Sequence, residues 1–528
     1  MLFPVSIPAS SFNRRLILEQ VRQKQHWDLL VIGGGATGLG VALDASSRGY
    51  SVLLLEQADF AKGTSSRSTK LIHGGVRYLA QGNLQLVREA SIERGLLLQN
   101  APHLVRNMKF VVPVYHWYDK WKYAIGLKLY DWIAGRLSPG RSRVVSRDEL
   151  LQKHSGIREK GLKGGIEYHD GQFDDARLAI NLAQTIVEQG GHVLNYMRVT
   201  ALTHDKAGRT SGLQAEDVET GETFWFKARA VVNATGVFAD NILQMDQPGA
   251  PPAVTASQGV HLVLDRSFYA SDDALMIPRT DDGRVLFLVP WHQKVIAGTT
   301  DTPVSDTLIE PVALEKEIEF ILNTASRYLE KTPQRQDVLS VFAGLRPLAA
   351  PKTDHQKTKE ISRSHKILVS KSRLFTMLGG KWTTYRKMGE DMVNRIEKEL
   401  RWPRVESPAK TLAVHAAKQV ADWLDPFYFY GEDAAALRGS MPHCTEGWLS
   451  PRLQIHAAQV YWAVEHEMAR TVEDILSRRT RCLLIDARES VRIAPQIARI
   501  MANALQRDEK WQQQQLEDFY QIARNYIL

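Results

Sequence analysis

Three glycines and one acidic residue near the N-terminus have the types and the spacing that fit binding of a dinucleotide. Gly33, Gly35 and Gly38 match the pattern G-x-G-x-x-G, and Glu56 follows further along the chain. Such glycines allow a tight turn, let a pyrophosphate approach the backbone, and let a helix pack closely on a strand. An acid in the position of Glu56 bonds an adenosine ribose hydroxyl and repels a 2′-phosphate. The four residues therefore indicate a dinucleotide site.

The elements that must position these residues follow from the surrounding sequence. Residues 29–32 form an unbroken apolar run, which is typical of a buried parallel strand. A helix is predicted over residues 36–48, and a second buried strand over residues 52–55. The helix N-terminus, with Ala36 and Thr37, would direct free N–H groups and a partial positive charge at phosphates. A glycine-rich turn in another α/β protein is the alternative, and the pattern alone does not distinguish FAD from NAD.

The composition limits the class of protein. The chain has 528 residues, which predicts two or three domains, and only two cysteines, which argues against a disulfide framework and favours a reducing compartment. The net charge of +8 fits a mildly basic surface, an anionic substrate or an anionic membrane surface. We expect no nucleic-acid partner, because no basic low-complexity tract or RNA-binding motif occurs. No apolar run approaches the ~18 residues of a spanning helix, and the N-terminus lacks the order of a signal peptide. These features predict an intracellular protein.

A long polar loop follows the second predicted strand. Its small hydroxyl residues Thr64, Ser65, Ser66 and Ser68 could bond the phosphates of a cofactor, and Gly74-Gly75 would let the backbone lie against a flat ring. Long loops in compact domains are usually functional or disordered. The loop is therefore a candidate part of the dinucleotide site.

Five ordered segments carry a resemblance to a known family. They are Thr64-Ser65-Ser66 with Ser68, Lys70-Leu71-Ile72-His73-Gly74-Gly75 and Arg77-Tyr78-Leu79; Val231-Val232-Asn233-Ala234-Thr235-Gly236; Ala297-Gly298-Thr299-Thr300-Asp301; Gly344-Leu345-Arg346-Pro347-Leu348; and Gly379-Gly380-Lys381-Trp382-Thr383-Thr384-Tyr385-Arg386. With the glycine fingerprint, they resemble the FAD-dependent glycerol-3-phosphate dehydrogenases, the respiratory type that passes electrons to quinone. The resemblance runs from residue 27 to residue 396, with a weaker stretch over residues 465–481.

This resemblance implies a fold and a domain organisation. The fold class is α/β plus α+β: a Rossmann-like FAD-binding domain of the glutathione-reductase/D-amino-acid-oxidase type, an inserted antiparallel-sheet substrate domain and a helical C-terminal domain. The expected divisions are an N-terminal extension (1–25), an FAD-binding domain (26–100, 160–245 and 355–402), a substrate-binding or cap domain (101–159 and 246–354), and the C-terminal domain (403–528). Before the first strand, a short basic amphipathic helix is expected to be a solvated arm, with a membrane anchor as the alternative.

The fingerprint and the resemblance together predict the FAD contacts. They are Gly33, Gly35, Ala36, Thr37, Gly38, Glu56, Thr64, Ser65, Ser66, Ser68, Lys70, Leu71, His73, Gly74, Gly75, Val199, Ala234, Thr235, Gly236, Gly380, Lys381, Trp382, Thr383 and Thr384. We expect no metal site, and we expect Asp174 and Asp175 to cap the helix that follows them.

The implied chemistry is oxidation of a secondary alcohol. A hydride passes from carbon to the flavin while a base takes the hydroxyl proton, and arginine forks hold the substrate phosphate. The resemblance carries substrate binding onto Arg77, Tyr78, Thr300, Arg346, Arg363 and Lys381, and catalysis onto Arg346, His261 and Lys381. One departure is Thr302, which stands where some relatives have a phosphate-binding arginine; Arg279 or Arg284 could supply that cation.

The identity of the base stays open at this stage. His261 has an unperturbed pKa that suits proton removal at neutral pH. Arg346 could instead stabilise the developing alkoxide while the proton leaves through water. His73 is a third candidate, although packing against the flavin is its expected role.

The sequence as a whole predicts oxidation of sn-glycerol 3-phosphate to dihydroxyacetone phosphate with FAD, and electron transfer to a membrane quinone. The alternatives are an oxidase that uses oxygen, a related FAD-dependent dehydrogenase of 2-hydroxy acids or amines, and a flavin-containing binding protein. The aromatic and lysine residues of segment 117–132 recur at helical spacing, which suits a lipid interface or a helix packed on the core. The expected location is therefore cytoplasmic and peripheral on the cytoplasmic face of an anionic membrane surface, with a homodimer left open.

Overall fold

The secondary structure alternates strands and helices before residue 402. The computed structural model describes residues 11–74, 84–116, 126, 128, 140–281, 283–350 and 365–528. The strands are β1 (His26–Ile32), β2 (Val52–Leu55), β3 (Leu71–Ile72), β4 (Val105–Val114), β5 (Arg143–Val145), β6 (Gly164–Phe173), β7 (His192–Leu194), β8 (Met197–His204), β9 (Thr210–Asp217), β10 (Thr223–Asn233), β11 (Val254–Asp265), β12 (Ala274–Ile277), β13 (Leu286–Trp291), β14 (Lys294–Gly298), β15 (Thr302–Val304), β16 (Val338–Ala349), β17 (Lys366–Val369), β18 (Leu374–Leu378), β19 (Trp448–Ser450) and β20 (Ile455–His456). The α-helices are α1 (Arg14–Gln23), α2 (Ala36–Ser47), α3 (Leu84–Asn100), α4 (Arg147–Lys153), α5 (Asp175–Glu188), α6 (Ala239–Asp246), α7 (Glu315–Ser326), α8 (Tyr385–Leu400), α9 (Ala434–Ser440), α10 (Ala457–His466), α11 (Cys482–Ile485), α12 (Ala487–Leu505) and α13 (Glu509–Ala523).

The first sheet holds the fingerprint strands at its centre. Its order is β17-β18-β10-β1-β2-β7, with β1 parallel to both β2 and β10, and β10 parallel to β18. Every residue of β2 is buried, and so is the apolar half of β1, because both faces of a parallel sheet are covered. The carboxyl ends of β1, β2, β10 and β18 meet at one edge, which is where such sheets bind ligands. The Rossmann-like prediction is confirmed.

The second sheet is mixed and mainly antiparallel. Its order is β15-β11-β14-β13-β12-β4-β6-β3, with β16 on β11 and β5 on β6. The structure differs here from the predicted domain ranges, which placed residues 160–245 in the FAD-binding domain. Strand β6 instead pairs with β4 along its whole length and with β3, so it belongs to the second sheet. An antiparallel ladder of that length outweighs the local sequence signal, because each pair adds hydrogen bonds and side-chain contacts.

The N-terminal helix is part of the core, so the prediction of a solvated arm is wrong for the described residues. Phe12, Ile17 and Val21 are buried, and α1 packs against β7. The Arg14 guanidinium is buried as well and lies 3.1 Å from the Asp217 carboxylate. The apolar face of α1 packs on the core of the protein, as is usual for an amphipathic helix in a globular protein.

The C-terminal region is mainly helical, as predicted, but contains a small antiparallel pair, β19 with β20. The stretch before α11 contains β20, α10 and a π-helical turn at Asp474–Arg479. Two ionic contacts join this region to α5, one buried and one partly exposed. Arg177 forms a bidentate pair with Glu467 at 2.7 and 2.8 Å, and His415 lies between the carboxylates of Glu188 and Asp433. Burial would lower the pKa of His415, but the two carboxylates raise it to about 9.

The predicted aromatic segment 117–132 falls almost entirely outside the described residues. In the part of the chain that the structure does describe, no helix is both long and apolar enough to cross a bilayer. Residues 351–364 also lie outside the described ranges.

Candidate active site

The glycine fingerprint forms a tight cradle between β1 and α2. Gly33 has φ +109°, and a Cβ there would lie 2.7 Å from the Ala234 carbonyl oxygen. A Cβ on Gly38 would lie 1.8 Å from the Gly33 carbonyl oxygen, so only glycine permits this contact between helix and strand. Gly35 is the N-cap of α2 and supplies no side-chain cap, which leaves the helix N-terminus suited to phosphate oxygens. These features fit the pyrophosphate of a dinucleotide.

Glu56 lies at the carboxyl end of β2, beside the cradle. Its carboxylate accepts hydrogen bonds from the Gly34 N–H at 2.6 Å and the Ala58 N–H at 2.9 Å. Burial raises the pKa of the Glu56 carboxyl, although both N–H groups favour its charged form. The side chain is thus oriented by backbone from both sides, in the position predicted to receive an adenosine ribose.

The hydroxyl-rich loop between β2 and β3, residues 58–70, is called the cofactor loop here and lies over the start of α2. Thr64, Ser65 and Ser66 form a helical turn, and Ser65 Oγ accepts a hydrogen bond from the Ala36 N–H at 2.9 Å. The Trp382 indole donates to the Ser65 carbonyl at 2.8 Å. The fold therefore brings three separately predicted cofactor segments together: the fingerprint, this loop and the segment after β18.

Lys70 and Ser68 share one carboxylate, that of Asp175. The Lys70 ammonium is fully buried and donates to both Asp175 oxygens at 2.7 and 2.8 Å and to the Ser66 carbonyl at 2.6 Å. Ser68 donates to the same carboxylate through its hydroxyl at 2.7 Å. Burial lowers the pKa of Lys70 and raises that of Asp175, and each partner's charge opposes the shift of the other. Lys70, predicted as a cofactor contact, thus holds the loop in shape.

The remaining described cofactor candidates lie at the same sheet edge or on the loop. Leu71 is in β3, His73 and Gly74 follow it, Val199 is in β8, Ala234, Thr235 and Gly236 follow β10, and Gly380, Lys381, Trp382, Thr383 and Thr384 lie between β18 and α8. The Gly74 N–H donates to the Asp170 carboxylate at 3.0 Å. Asp174 caps α5 by accepting from the Arg177 N–H at 3.2 Å, which confirms the predicted cap.

Arg346 is oriented by the ends of neighbouring strands. Its Nη1 lies 3.3 Å from the Asp301 carboxylate, and its Nη2 donates to the Thr300 carbonyl at 3.0 Å and the Thr299 hydroxyl at 3.1 Å. The side chain is 22% exposed. A Cβ on Gly259 would lie 2.3 Å from Arg346 Nη2, so that glycine makes space for the guanidinium. The guanidinium is therefore held in place by groups at the ends of neighbouring strands.

His261 lies on β11, opposite Phe342 of β16. The two rings stack with their centroids 4.9 Å apart, and His261 Nε2 is 2.9 Å from the hydroxyl of Thr69 in the cofactor loop. Burial, followed by the charges of Arg346 and Lys70, holds the pKa of His261 well below its usual range. The imidazole is therefore neutral at physiological pH in this state.

Thr300 and Thr302 both serve a buried carboxylate. Thr300 donates to Glu317 at 2.8 Å and accepts from the Val260 N–H at 2.9 Å, while Thr302 donates to Glu317 at 2.6 Å. Thr302 therefore binds a carboxylate of the protein, whereas an arginine at this position would bind the substrate phosphate. Arg284 Nη1 lies 3.7 Å from Asp301, the acid that also pairs with Arg346, so two guanidinium groups meet at one carboxylate.

Four predicted site residues lie outside the described residues: Gly75, Arg77, Tyr78 and Arg363. Four others were not predicted individually, namely Thr69, Asp175, Asp301 and Gly259. Asp301 belongs to a quoted motif, so that motif held the signal, whereas Thr69 stands between the quoted residues Ser68 and Lys70 and had no signal of its own. Asp175 had a signal only as a helix cap, and Gly259 had none.

The comparisons with known proteins agree with this geometry. A family model described as "FAD dependent oxidoreductase" matches residues 28–383, and one described as "C-terminal domain of alpha-glycerophosphate oxidase" matches residues 374–513. The fold, the dinucleotide cradle and this match define an FAD-dependent oxidoreductase, and FAD is its cofactor.

Relatives along the whole chain define the family more narrowly. "Glycerol-3-phosphate dehydrogenase, mitochondrial" of Schizosaccharomyces pombe is 35% identical over 582 residues, which cover 98% of this chain and 89% of the relative. The Homo sapiens protein of the same name is 37% identical over 98% of this chain and 75% of its own length. A solved glycerol-3-phosphate dehydrogenase from Bacillus halodurans, complexed with FAD, superposes with a TM-score of 0.78 at 28% identity over 98% of both chains. The chain belongs to the FAD-dependent glycerol-3-phosphate dehydrogenase family.

Proposed function

We propose that this protein oxidises sn-glycerol 3-phosphate to dihydroxyacetone phosphate and passes the electrons to a quinone at an anionic membrane surface. One observation carries the proposal: the cofactor loop contacts the second sheet where His261 and Arg346 lie. Thr69 contacts the His261 imidazole, and Thr64 donates to the Leu345 carbonyl at 2.5 Å, next to Arg346. A substrate held there lies between the flavin side of the loop and two groups suited to alcohol oxidation.

Arg346 is proposed to bind the substrate oxygen that becomes a carbonyl. Its guanidinium is fixed by Asp301 and two threonines, so little orientational freedom is lost when a substrate binds. As the hydroxyl loses its proton, its oxygen gains negative charge, and a charge-assisted hydrogen bond to Arg346 strengthens. Arg284 and Lys381, with Arg77, Tyr78 and Arg363 by resemblance, are proposed to hold the phosphate.

His261 is proposed to receive the hydroxyl proton. FAD, when bound, supplies the acceptor for the hydride, so the alcohol loses one hydride and one proton and becomes a ketone. Burial is the largest cause of the lowered pKa of His261, and the charge of Arg346, which lowers it further, is offset when an anionic substrate binds beside that guanidinium. His261 Nδ1 is buried without a hydrogen-bond partner among the described residues, which leaves a nitrogen able to take the proton.

The experiment for substrate class is anaerobic mixing of the purified holoprotein with glycerol 3-phosphate, followed by the visible absorbance of oxidised flavin. We expect bleaching with glycerol 3-phosphate and none with glycerol, a 2-hydroxy acid or an amine. Bleaching only by one of the latter would overturn the substrate proposal. In air, hydrogen peroxide formed at the rate of turnover would identify an oxidase instead of a quinone-linked enzyme.

The role of His261 is tested by His261→Asn, with Arg346→Lys for comparison. Loss of a base should lower kcat by about 10²-fold or more and remove one ionisation from the pH profile of kcat. Arg346→Lys keeps the charge but loses the fork, so kcat should fall more than KM rises, without loss of that ionisation. An unchanged pH profile in His261→Asn would favour proton loss through water.

The membrane proposal is supported by the aromatic and lysine content of segment 117–132 and is tested with vesicles. One variant replaces three tryptophans with serine: Trp117, Trp121 and Trp132. A second replaces three lysines with glutamine: Lys120, Lys122 and Lys128. The first should release protein from neutral and anionic vesicles, the second only from anionic ones, by about 1 kcal/mol per lysine. Loss of dye-linked activity with vesicle binding intact would show that the segment packs on the core.

A further inference from the structure

The cofactor loop is held from outside by the C-terminal region. On the side that faces the FAD cradle, the loop makes two hydrogen bonds to residues of that cradle. The Ala58 N–H donates to Glu56, and Ser65 accepts from Ala36 at the start of α2. The Ala61 N–H also donates to the Gly34 carbonyl at 3.0 Å. A displacement of the loop would therefore move the ribose site and the pyrophosphate site together.

Asp59 lies in the loop between Ala58 and Ser65, and its carboxylate accepts hydrogen bonds from both arginines of the π-helical turn. Arg479 donates to its two oxygens at 2.6 and 2.9 Å, and Arg478 donates at 2.5 Å. The side chains of all three residues are at most 1% exposed. Burial alone would raise the pKa of the Asp59 carboxyl, but Arg479 and Arg478 hold it well below its usual range.

A second contact lies one turn along the loop. Lys62 donates to Glu473 at 2.5 Å, and Glu473 also accepts from Arg478 at 2.6 Å. The Arg478 guanidinium reaches Asp474 as well, at 2.6 Å. Burial would raise the pKa of Glu473, but Arg478 and Lys62 lower it to about 2. The loop and the turn thus share a continuous network of alternating charges.

Stability alone does not account for such a network. When two charged groups are buried, the free energy of their lost hydration is about as large as the free energy of their mutual attraction. Well-packed apolar residues in their place would therefore give the protein similar stability. Bidentate guanidinium–carboxylate pairs do fix relative position and angle. We propose that Arg478 and Arg479 are positioning residues for FAD: through Asp59 they hold the loop closed, so the C-terminal region determines how tightly the cofactor is retained. This proposal does not depend on the substrate.

The test compares Arg479→Gln, Arg479→Lys and Asp59→Asn in the full chain. The readouts are the Kd of FAD for the apoprotein, from flavin fluorescence, and the rate of FAD release from the holoprotein. We expect the Kd to rise about tenfold or more in Arg479→Gln, equivalent to about 1.4 kcal/mol. Arg479→Lys should recover part of the affinity, since it restores the charge without the fork. The double variant Asp59→Asn/Arg479→Gln should be no worse than the poorer single variant, because both act through one contact.

His415→Gln is the control. It removes the ionic contacts with Glu188 and Asp433, which also join the C-terminal region to α5, and the contacts of His415 in the described residues do not include Asp59, Arg478 or Arg479. It should lower the unfolding temperature of the apoprotein and leave the FAD Kd near that of the wild type. An equal rise of the Kd in the control would overturn the proposal. So would Arg479 and Asp59 variants that unfold at lower temperature yet bind FAD normally. If Arg479→Gln does not fold, the Kd values of Arg479→Lys and Asp59→Asn decide by the same criteria.

Discussion

Gly259→Ala tests the role of Arg346 without changing Arg346 itself. A Cβ at position 259 would lie 2.3 Å from Arg346 Nη2, whereas ordinary van der Waals contact begins at 3.4 Å. The guanidinium must therefore move by the difference, 3.4 − 2.3, which is 1.1 Å. Gly259 lies in the middle of β11 and its backbone is not in the left-handed region, so the strand backbone accepts alanine, while the Thr299 hydroxyl, 2.7 Å from the same Cβ, must turn away together with the guanidinium.

The expected effects on folding and on catalysis differ in size. Replacing a strand glycine with alanine stabilises the folded protein by about 0.5–1 kcal/mol. A strained arginine rotamer destabilises it by about 0.5–1.5 kcal/mol. The free energy of unfolding should therefore change by less than about 1 kcal/mol. A misplacement of that size in a catalytic group can cost about 10²-fold in rate, or about 2.7 kcal/mol of transition-state free energy.

The assay is steady-state oxidation of glycerol 3-phosphate with a soluble dye, alongside flavin content and thermal unfolding. Gly439→Ala is the control, because it makes the same chemical change in open space on α9. In an Arg346→Lys background, Gly259→Ala should have a much smaller effect, since lysine has no Nη2 atom to displace. A Gly259→Ala protein with full flavin and kcat within about threefold of the wild type, a change of under 1 kcal/mol, would refute the assigned position of Arg346.

Three further predictions concern the cofactor and stability. Glu56→Gln should lower FAD retention by roughly 1.5–3 kcal/mol; a full flavin-to-protein ratio would contradict this. Gly38→Ala should give little or no FAD-loaded protein, because its Cβ would lie 1.8 Å from a backbone oxygen. His415, whose pKa is raised from 6.5 to about 9, adds stability that is fully present below pH 6.5 and lost as the pH rises through about 9. That contribution is about 3 kcal/mol at most, and His415→Gln should flatten the corresponding slope in denaturant unfolding; equal slopes would argue against it.

The sequence determined the features that depend on local pattern and on motifs. The apolar runs of β1 and β2 and the glycines between them predicted a parallel sheet with a dinucleotide cradle, because only a buried strand followed by close backbone contacts needs that order of residues. The motifs around Arg346 and Lys381 indicated the family and its cofactor, and the relatives confirmed both. The Asp174 cap followed from its position directly before an amphipathic helix.

Only the tertiary structure decided which charged groups meet. The motif around Lys70 predicted a contact with the cofactor, but the partner of Lys70 is Asp175, far along the chain. Arg479 and Asp59 are further apart still, and nothing in either local sequence names the other. Burial makes an unpaired charge costly, so each such group must find a partner. Which partner it finds depends on the surfaces that packing brings together, and periodicity within one helix or strand carries no information about that choice.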